Sequence, residues 1–390
     1  MAVYLNRKNR LAIRVIPALV TAGIIGLCGV MPVGAEGLSN NTRIVNKDEQ
    51  VTGQFFPVTG SEESASMEAS HNSLTLYDQE KNSAASGVYV TLINKDDGAL
   101  SITDNSMEVG TKEGNTSQYT SIFGVYGAPS FASGMGQVTM SRNSLTVNNS
   151  NVGDHVIGVY DITDNSNSKD YSSLTAENNK LTISKSTIGE TIHIHLYSPN
   201  SNSKNSISEN TASITDSSVN GSYFGTYQRY SKSGDLKLIG NSSDFTKTTV
   251  YGHLFGSNIY DSGNAVSEGN TISLSGSSVA GYLFQDDIYG AKGNLENNKV
   301  TLSGSSVKSA IYGEAFSSTA NGAEVTAKRN SVILSDSSTA GAVTTVTFDR
   351  GGGGTFSKAE AIANKVQLQG GSTALFAAAV QGEGDASDNT

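Results

Sequence analysis

The chain has 390 residues, a length that allows two or three ordinary globular domains or one long repetitive domain. It has 42 glycines, one cysteine and no tryptophan, yet its hydrophobic content of 36% is too high for a disordered chain. The formal net charge of −10 argues against nucleic acid as a partner, because that partner requires a basic face.

The first 35 residues have the layout of a secretory signal peptide. A basic start at 7–14 precedes an apolar run at 15–31, and small residues lead up to Ala35. We therefore predict cleavage after Ala35 and export of the mature chain. The alternative is an uncleaved membrane anchor, which the shortness of the run and Pro17 disfavour.

Cleavage at this position changes the chemistry that is open to the mature chain. It removes the only cysteine, which excludes disulfides and thiol catalysis. It also removes four basic residues and no acidic ones, which leaves 22 basic and 36 acidic residues and a formal charge of −14. Stability must then come from burial and from backbone hydrogen bonds.

A short phrase recurs through residues 71–390. It consists of Asn, any residue, a hydrophobic residue, any residue and a second hydrophobic residue, and a Ser-rich segment often follows. Successive copies begin 28–38 residues apart, which is typical of a solenoid. A degenerate copy starts at Asn241, and Asn389 resembles the opening of a further one. The nine clear copies start at Asn72, Asn105, Asn143, Asn179, Asn210, Asn270, Asn298, Asn330 and Asn364.

Each repeat predicts three short strands. The phrase itself alternates, so that Val300 and Leu302 lie on the inner face and Lys299 lies on the outer face. An aliphatic and aromatic second strand and a weaker third strand follow. The phase of the second strand is open: Val307 and Ile311 share one parity, while other copies also fit the opposite parity.

Three strands in about 30 residues cannot enclose a core, but stacked repeats can pair each strand in parallel with its copy in the next turn. The sequence therefore predicts an all-β parallel β-helix of about ten turns, with roughly 30 residues per turn. Residues 36–70 are polar and lie outside the recognised repeats, so we expect them to cap the N-terminal end. β-Propellers and helical solenoids are disfavoured because neither hairpin signals nor a helical period is present.

The recurring Asn has a physical interpretation at a corner before a strand. Asn tolerates the left-handed backbone conformation that a tight corner can need. Its side chain can also form hydrogen bonds from turn to turn along the stack. The Ser-rich corner is expected to need small residues because successive turns crowd there.

The exported, cysteine-poor array of units such as "NKVTLSGSSVKSAIYG" (298–313) resembles the passenger region of autotransporter proteins of Gram-negative bacteria. The resemblance covers residues 36–390. It implies a right-handed β-helix held on the cell surface, often as an adhesin that contacts a host or neighbouring cell. It also implies a C-terminal outer-membrane β-barrel that translocates the passenger. The sequence contains no such barrel and stops within a repeat, so we expect the chain to be part of a longer protein.

Few residues suggest site chemistry. His193 and His195 are two apart in a predicted strand, so both would lie on one face, where a metal ion could use them. The favoured alternative is that both histidines face solvent while the isoleucines between and before them face the core, because no third ligand is visible nearby. We therefore predict no metal site and no cofactor.

Two acidic pairs and one glycine run are further candidates for site chemistry. Asp96–Asp97 and Asp286–Asp287 could act as acid/base pairs or bind calcium, but neither fits a calcium-loop spacing, and solvated corners are favoured. The glycine run within 349–354 lacks the context of a phosphate loop and is interpreted as a corner insertion.

Three functional classes remain. The favoured one is a surface adhesin or structural stalk without catalysis. The second is a β-helical enzyme that acts on polysaccharides, which would need acidic and basic side chains converging on one groove. The third is an exported solenoid that is secreted by a separate transporter.

Overall fold

The structure is a computed structural model in which all regular elements of the described residues are β-strands. The predicted signal peptide, Asp96–Asp97 and most of 349–354 lie outside these residues. No helix in the described part of the chain is long and apolar enough to cross a membrane. The described residues are 38–45, 53–60, 66–79, 83–94, 98–111, 116–131, 136–161, 172–196, 203–228, 234–349, 354–382 and 384–390.

Each turn of the solenoid begins with an Asn strand, the strand that follows the recurring asparagine. The eleven Asn strands pair in parallel and form a sheet of their own. This confirms the predicted parallel β-helix, and the number of strands is close to the ten turns expected. The Asn strands are Thr42–Val45, Ser73–Tyr77, Ser106–Gly110, Ser144–Asn148, Lys180–Ser184, Thr211–Thr215, Ser242–Thr246, Thr271–Ser275, Lys299–Ser303, Ser331–Ser335 and Lys365–Leu368.

The second and third strands of the turns form a larger parallel sheet of 24 strands. The second strands are Gly53–Gly60, Ser83–Asn94, Ser117–Phe131, Ser150–Asp161, Thr187–Leu196, Ser218–Val219 with Tyr223–Gln228, Ser306–Ser318, Thr339–Asp349 and Thr373–Gly382. The third strands are Leu38–Ser39, Ser66–Ser70, Ala99–Thr103, Gln137–Ser141, Ser173–Glu177, Lys204–Ser208, Asp235–Ile239, Asn321–Lys328, Thr355–Ile362 and Asp385–Ser387. In two turns the second and third strands are continuous, as Thr249–Val250 with Leu254–Glu268 and Ser278–Val279 with Leu283–Glu296.

The core consists of columns of aliphatic side chains that run from turn to turn. Val300 and Leu302 are fully buried, while Lys299 is exposed. The next turn places Val332 and Leu334 in register with them, and these are equally buried. The predicted phase of the Asn strand is therefore confirmed, because alternate residues enter continuous inner columns.

The second strand bends, which explains why its phase is ambiguous in the sequence. Ile311 and Glu314 are both buried inside the solenoid although they are three residues apart, whereas Tyr312 is only half-buried. Residues on one face of a straight strand are separated by an even number, so the strand must change direction between them. Gly313 lies at this bend, and a Cβ atom there would be 2.6 Å from the carbonyl oxygen of Thr345 in the next turn.

The conformational role predicted for the recurring Asn is wrong, because the left-handed residue is the one that precedes it. His71, Arg142 and Asn297 have φ values of 56°, 57° and 58°. This preceding residue forms the corner, and the Asn follows it directly before the strand. The Asn side chain can therefore form hydrogen bonds along the stack.

The predicted hydrogen bonding along the stack is confirmed. Twelve asparagines form what we call the Asn ladder, which runs from Asn41 to Asn389 through the ten predicted copies. Asn179 shows the usual pattern: its backbone N–H and its side-chain Nδ2 both donate to Oδ1 of Asn210, each at 2.9 Å. Its Nδ2 also donates to the carbonyl oxygen of Met140 at 2.7 Å.

The second corner has a ladder of hydroxyl groups. The backbone N–H of Ser277 donates to Oγ of Ser305 at 3.0 Å, and that of Ser305 donates to Oγ of Ser338 at 3.1 Å. The Ser-rich corner therefore provides hydrogen-bond acceptors as well as small side chains.

Within the N-terminal segment 36–70, residues 41–45 belong to the repeats rather than lying outside them. Thr42–Val45 pairs in parallel with Ser73–Tyr77, and Asn41 joins the Asn ladder through Asn72. The sequence pattern missed this turn because Arg43 stands where the phrase has its first hydrophobic residue.

We predict that Val300→Asp lowers the free energy of unfolding by at least about 3 kcal/mol, because it places an unpaired carboxylate between stacked aliphatic residues. The neighbouring Lys299→Asp should change it by less than about 0.5 kcal/mol, because Lys299 is exposed. Urea unfolding followed by circular dichroism compares the two variants. Equal losses of stability would contradict the strand phase.

Candidate functional site

The outer side of the bend in the second strands is lined by aromatic rings. Phe224 and Tyr227 are three residues apart, yet their ring centroids are 5.0 Å apart. In a straight strand such residues lie on opposite faces about 10 Å apart. The bend therefore draws outward-facing side chains together. We call the resulting surface the aromatic groove, and we define it by the outward residues Phe224, Phe255, Phe284, Tyr312, Tyr227, Asn258 and Asp287 together with the adjacent Tyr251, His253 and Tyr282.

Rings of successive turns stack along the groove. Phe255 lies parallel to Phe284 with a centroid distance of 5.1 Å, and Phe284 lies nearly parallel to Tyr312 at 4.9 Å. Beside this row, His253 stacks on Tyr282 at 5.4 Å. The register of parallel strands causes this order, since it places the same position of each turn one strand spacing apart.

The groove is partly open to solvent in the turns that contain residues 251–312. Phe255, Tyr282 and Tyr312 are half-buried, and Tyr251 is 59% exposed. A polar pair lies among the rings, because Nδ2 of Asn258 donates to Oδ2 of Asp287 at 2.8 Å. Rings beside an amide and a carboxylate can offer a ligand both apolar contact and hydrogen bonds.

The structure separates the two histidines that the sequence places on one face. His193 is 2% exposed and lines a small cavity together with Thr226 and Asp286. His195 is 3% exposed and lies outside the bend, where its ring is 4.6 Å from that of Tyr160. The favoured interpretation of solvent-facing histidines is therefore wrong. The strict alternation on which it depended fails at the bend.

The described part of the chain contains no group of three or more His, Cys, Asp or Glu side chains that could hold a metal ion.

His193 occupies the bend position that is glycine in the following turn, at Gly225. Burial of its imidazole lowers the pKa of His193 to about 3, so the ring is neutral at physiological pH.

Asp286 and Asp287 do not form a catalytic pair. As neighbours in a strand they face opposite sides: Asp287 lies in the aromatic groove, while Asp286 is fully buried in the core. The interpretation of Asp286 as a solvated corner residue is also wrong. Its oxygens accept hydrogen bonds from the hydroxyl groups of Ser257 and Ser267.

A second buried carboxyl group lies directly beside Asp286. Glu314 occupies the same register position one turn later and is also fully buried. Burial raises the pKa of Glu314 well above its usual value, and the adjacent charge of Asp286 raises it further. Burial likewise raises the pKa of Asp286, although Ser257 and Ser267 partly oppose this shift.

The chain matches no protein family, no curated protein and no solved structure.

We predict that His193 makes the protein less stable in acid. Its pKa is lower in the folded chain than in the unfolded chain. As the pH falls below about 6.5, the unfolded chain therefore binds a proton at this histidine, whereas the folded chain does not. His193→Gln should remove this loss, which amounts to at most about 1.4 kcal/mol per pH unit. Glutamine is suitable because Gln285 occupies the equivalent position three turns later.

The measurement is urea unfolding at a series of pH values between about 4 and 7. The matched control is His71→Gln, which changes an exposed histidine at a corner. An identical pH dependence in wild type and His193→Gln would show that His193 does not control acid stability.

Proposed function

We propose that the chain is the passenger of an exported, cell-surface β-helical protein, and that it acts as an adhesin or structural stalk without catalysis. The parallel solenoid is compatible with this role, and the leader-like residues 1–35 and the resemblance of the repeats to autotransporter passengers support it. The observation that carries the adhesin proposal is the aromatic groove, because rings and polar groups are grouped there and are partly exposed.

Two features favour the groove as the contact surface. Aromatic side chains bring large, rigid contact areas and are enriched where proteins bind partners. The exposed ring of Tyr251 and the half-buried Phe255 and Tyr282 leave apolar area that the fold does not cover. The partner is expected to be a molecule on a host or neighbouring cell.

The geometry around the acidic residues supports the proposal that the chain is not an enzyme. Most enzymes that hydrolyse polysaccharides use two carboxyl groups that face the same substrate. In the aromatic groove Asp287 is bonded to Asn258, while the neighbouring Asp286 faces the interior. We therefore favour a binding role over the polysaccharide-acting alternative.

We predict that the double variant Tyr251→Ala/Tyr282→Ala binds host or neighbouring cells at least about tenfold more weakly than the wild type, because truncating exposed aromatic anchors removes contact area. The test measures binding of fluorescent protein, residues 36–390, to intact cells and to an array of matrix proteins and polysaccharides. Export is tested in parallel by protease treatment of intact producing cells.

The matched control is Lys180→Ala/Lys299→Ala, which truncates two exposed side chains on the Asn strands, outside the aromatic groove. Binding that is equal in wild type, groove variant and control would contradict a role for the groove. Protein that is protected from protease in intact cells would contradict surface exposure.

A further inference from the structure

One inner column of the core changes from apolar to polar and back. It is formed by the first inward residue after the bend in each second strand. The change is confined to four consecutive turns. In order along the stack from Val88 onward, the column consists of Val88, Val125, Val159, Ile194, Thr226, Ser257, Asp286, Glu314, Val346 and Val380.

The two carboxyl groups at the end of this polar stretch have unequal surroundings. Asp286 accepts hydrogen bonds from the hydroxyl groups of Ser257 and Ser267, and Nδ2 of Asn298 lies 3.5 Å from its Oδ2. By contrast, no hydroxyl group of the described residues donates to Glu314, whose carboxyl group interacts with that of Asp286 and with the amide of Asn298. Donors stabilise an ionised carboxylate, so the negative charge belongs on Asp286 and a proton on Glu314.

No cation compensates the pair. No lysine or arginine of the described residues is buried. The other titratable groups near this part of the core are His193, which lines the same cavity as Asp286, and the phenol of Tyr223, which bonds to Oγ of Ser243. Two ionised carboxylates in contact, buried and without a cation, would carry a large desolvation cost.

The pair is also connected to the Asn ladder, at Asn298, whose hydrogen bonds differ from those of the other asparagines that donate along the ladder. Asn298 donates to Oδ1 of Asn330 through its backbone N–H alone, at 2.9 Å. Its Nδ2 is directed instead toward Ser267, whose carbonyl oxygen is 3.2 Å away and whose Oγ is 3.1 Å away, and toward Asp286. The other rungs of the ladder carry both the backbone and the side-chain bond.

We propose that Asp286 and Glu314 share one proton and form an acid-favoured clasp between two turns of the solenoid, so that this segment opens locally as the pH rises. The proton lies between the two carboxyl groups, with Glu314 as donor and Asp286 as acceptor. Loss of the proton leaves two adjacent negative charges in the core. Asn298 transmits the disturbance to the corner, because its amide takes part in both the clasp and the ladder.

The direction of the pH effect follows from linkage. Both carboxyl groups have folded pKa values above those of the unfolded chain, so the folded state holds more protons. The stabilising contribution is complete below about pH 4 and is lost as the pH rises through the folded pKa of the pair. One proton corresponds to about a tenfold change in the opening equilibrium per pH unit.

The test is hydrogen exchange with mass spectrometry on the full chain between about pH 5 and pH 8, corrected for intrinsic exchange rates. We expect the opening of the peptides that contain Leu283–Glu296 and Ser306–Ser318 to increase by about tenfold per pH unit over part of this range. Glu314→Gln, which can still donate to Asp286, should remove the increase. The matched control is Glu324→Gln, which changes an exposed carboxylate beside Lys292, and it should retain the increase.

A second variant covers the case in which Glu314→Gln does not fold. Asp286→Ser/Glu314→Val copies the residues that flank the pair in the column, Ser257 and Val346, and should be insensitive to pH in the same peptides. Wild-type protection that does not change with pH, or a pH dependence that persists in both variants, would overturn the proposal. Recovery of protection at about pH 8 on addition of calcium chloride would also overturn it, by showing that a cation replaces the proton.

Discussion

The fold depends on the way each corner of the solenoid is closed by the next turn. A backbone that turns sharply before every Asn strand leaves an N–H group without a partner in its own turn, and buried groups of this kind must be paired. Asn179 solves this for its neighbour: its Oδ1 accepts the backbone N–H and the Nδ2 of Asn143. The backbone bond of this arrangement recurs from Asn41 to Asn389, and the side-chain bond recurs everywhere except at Asn298, so each of these corners is completed by the turn beside it.

The parts of the fold that could be predicted are those in which one residue type has one role. Alternation in the phrase is enough to place Val300 and Leu302 inside, because the Asn strand is short and straight. The bend of the second strand could not be predicted in the same way. Its position is glycine in several turns, but His193 and Gln285 occupy it as well, and alternation counted across it assigns side chains to the wrong face.

The aromatic groove and the carboxyl pair could not be predicted from local sequence patterns, for a related reason. Phe255 and Phe284 meet because the register of two turns aligns them, and so do Asp286 and Glu314. In the sequence these residues are about a full repeat apart. Asp286 and Asp287, which are adjacent in the sequence, are by contrast separated by the strand itself. The side chains that form a site on this solenoid therefore come from different turns, and the register between the turns determines which of them meet.

Amide hydrogen exchange at Asn179 in an Asn210→Ala variant tests whether the Asn ladder holds the corners, because that amide donates to the side chain that the substitution removes. We expect exchange at Asn179 to accelerate by at least about tenfold, while exchange at Asn143, whose acceptor Asn179 is retained, changes much less. Thr211→Ala, which changes the exposed neighbour of Asn210, should leave both unchanged. Unaltered protection of Asn179 in Asn210→Ala would show that the ladder does not hold the corners.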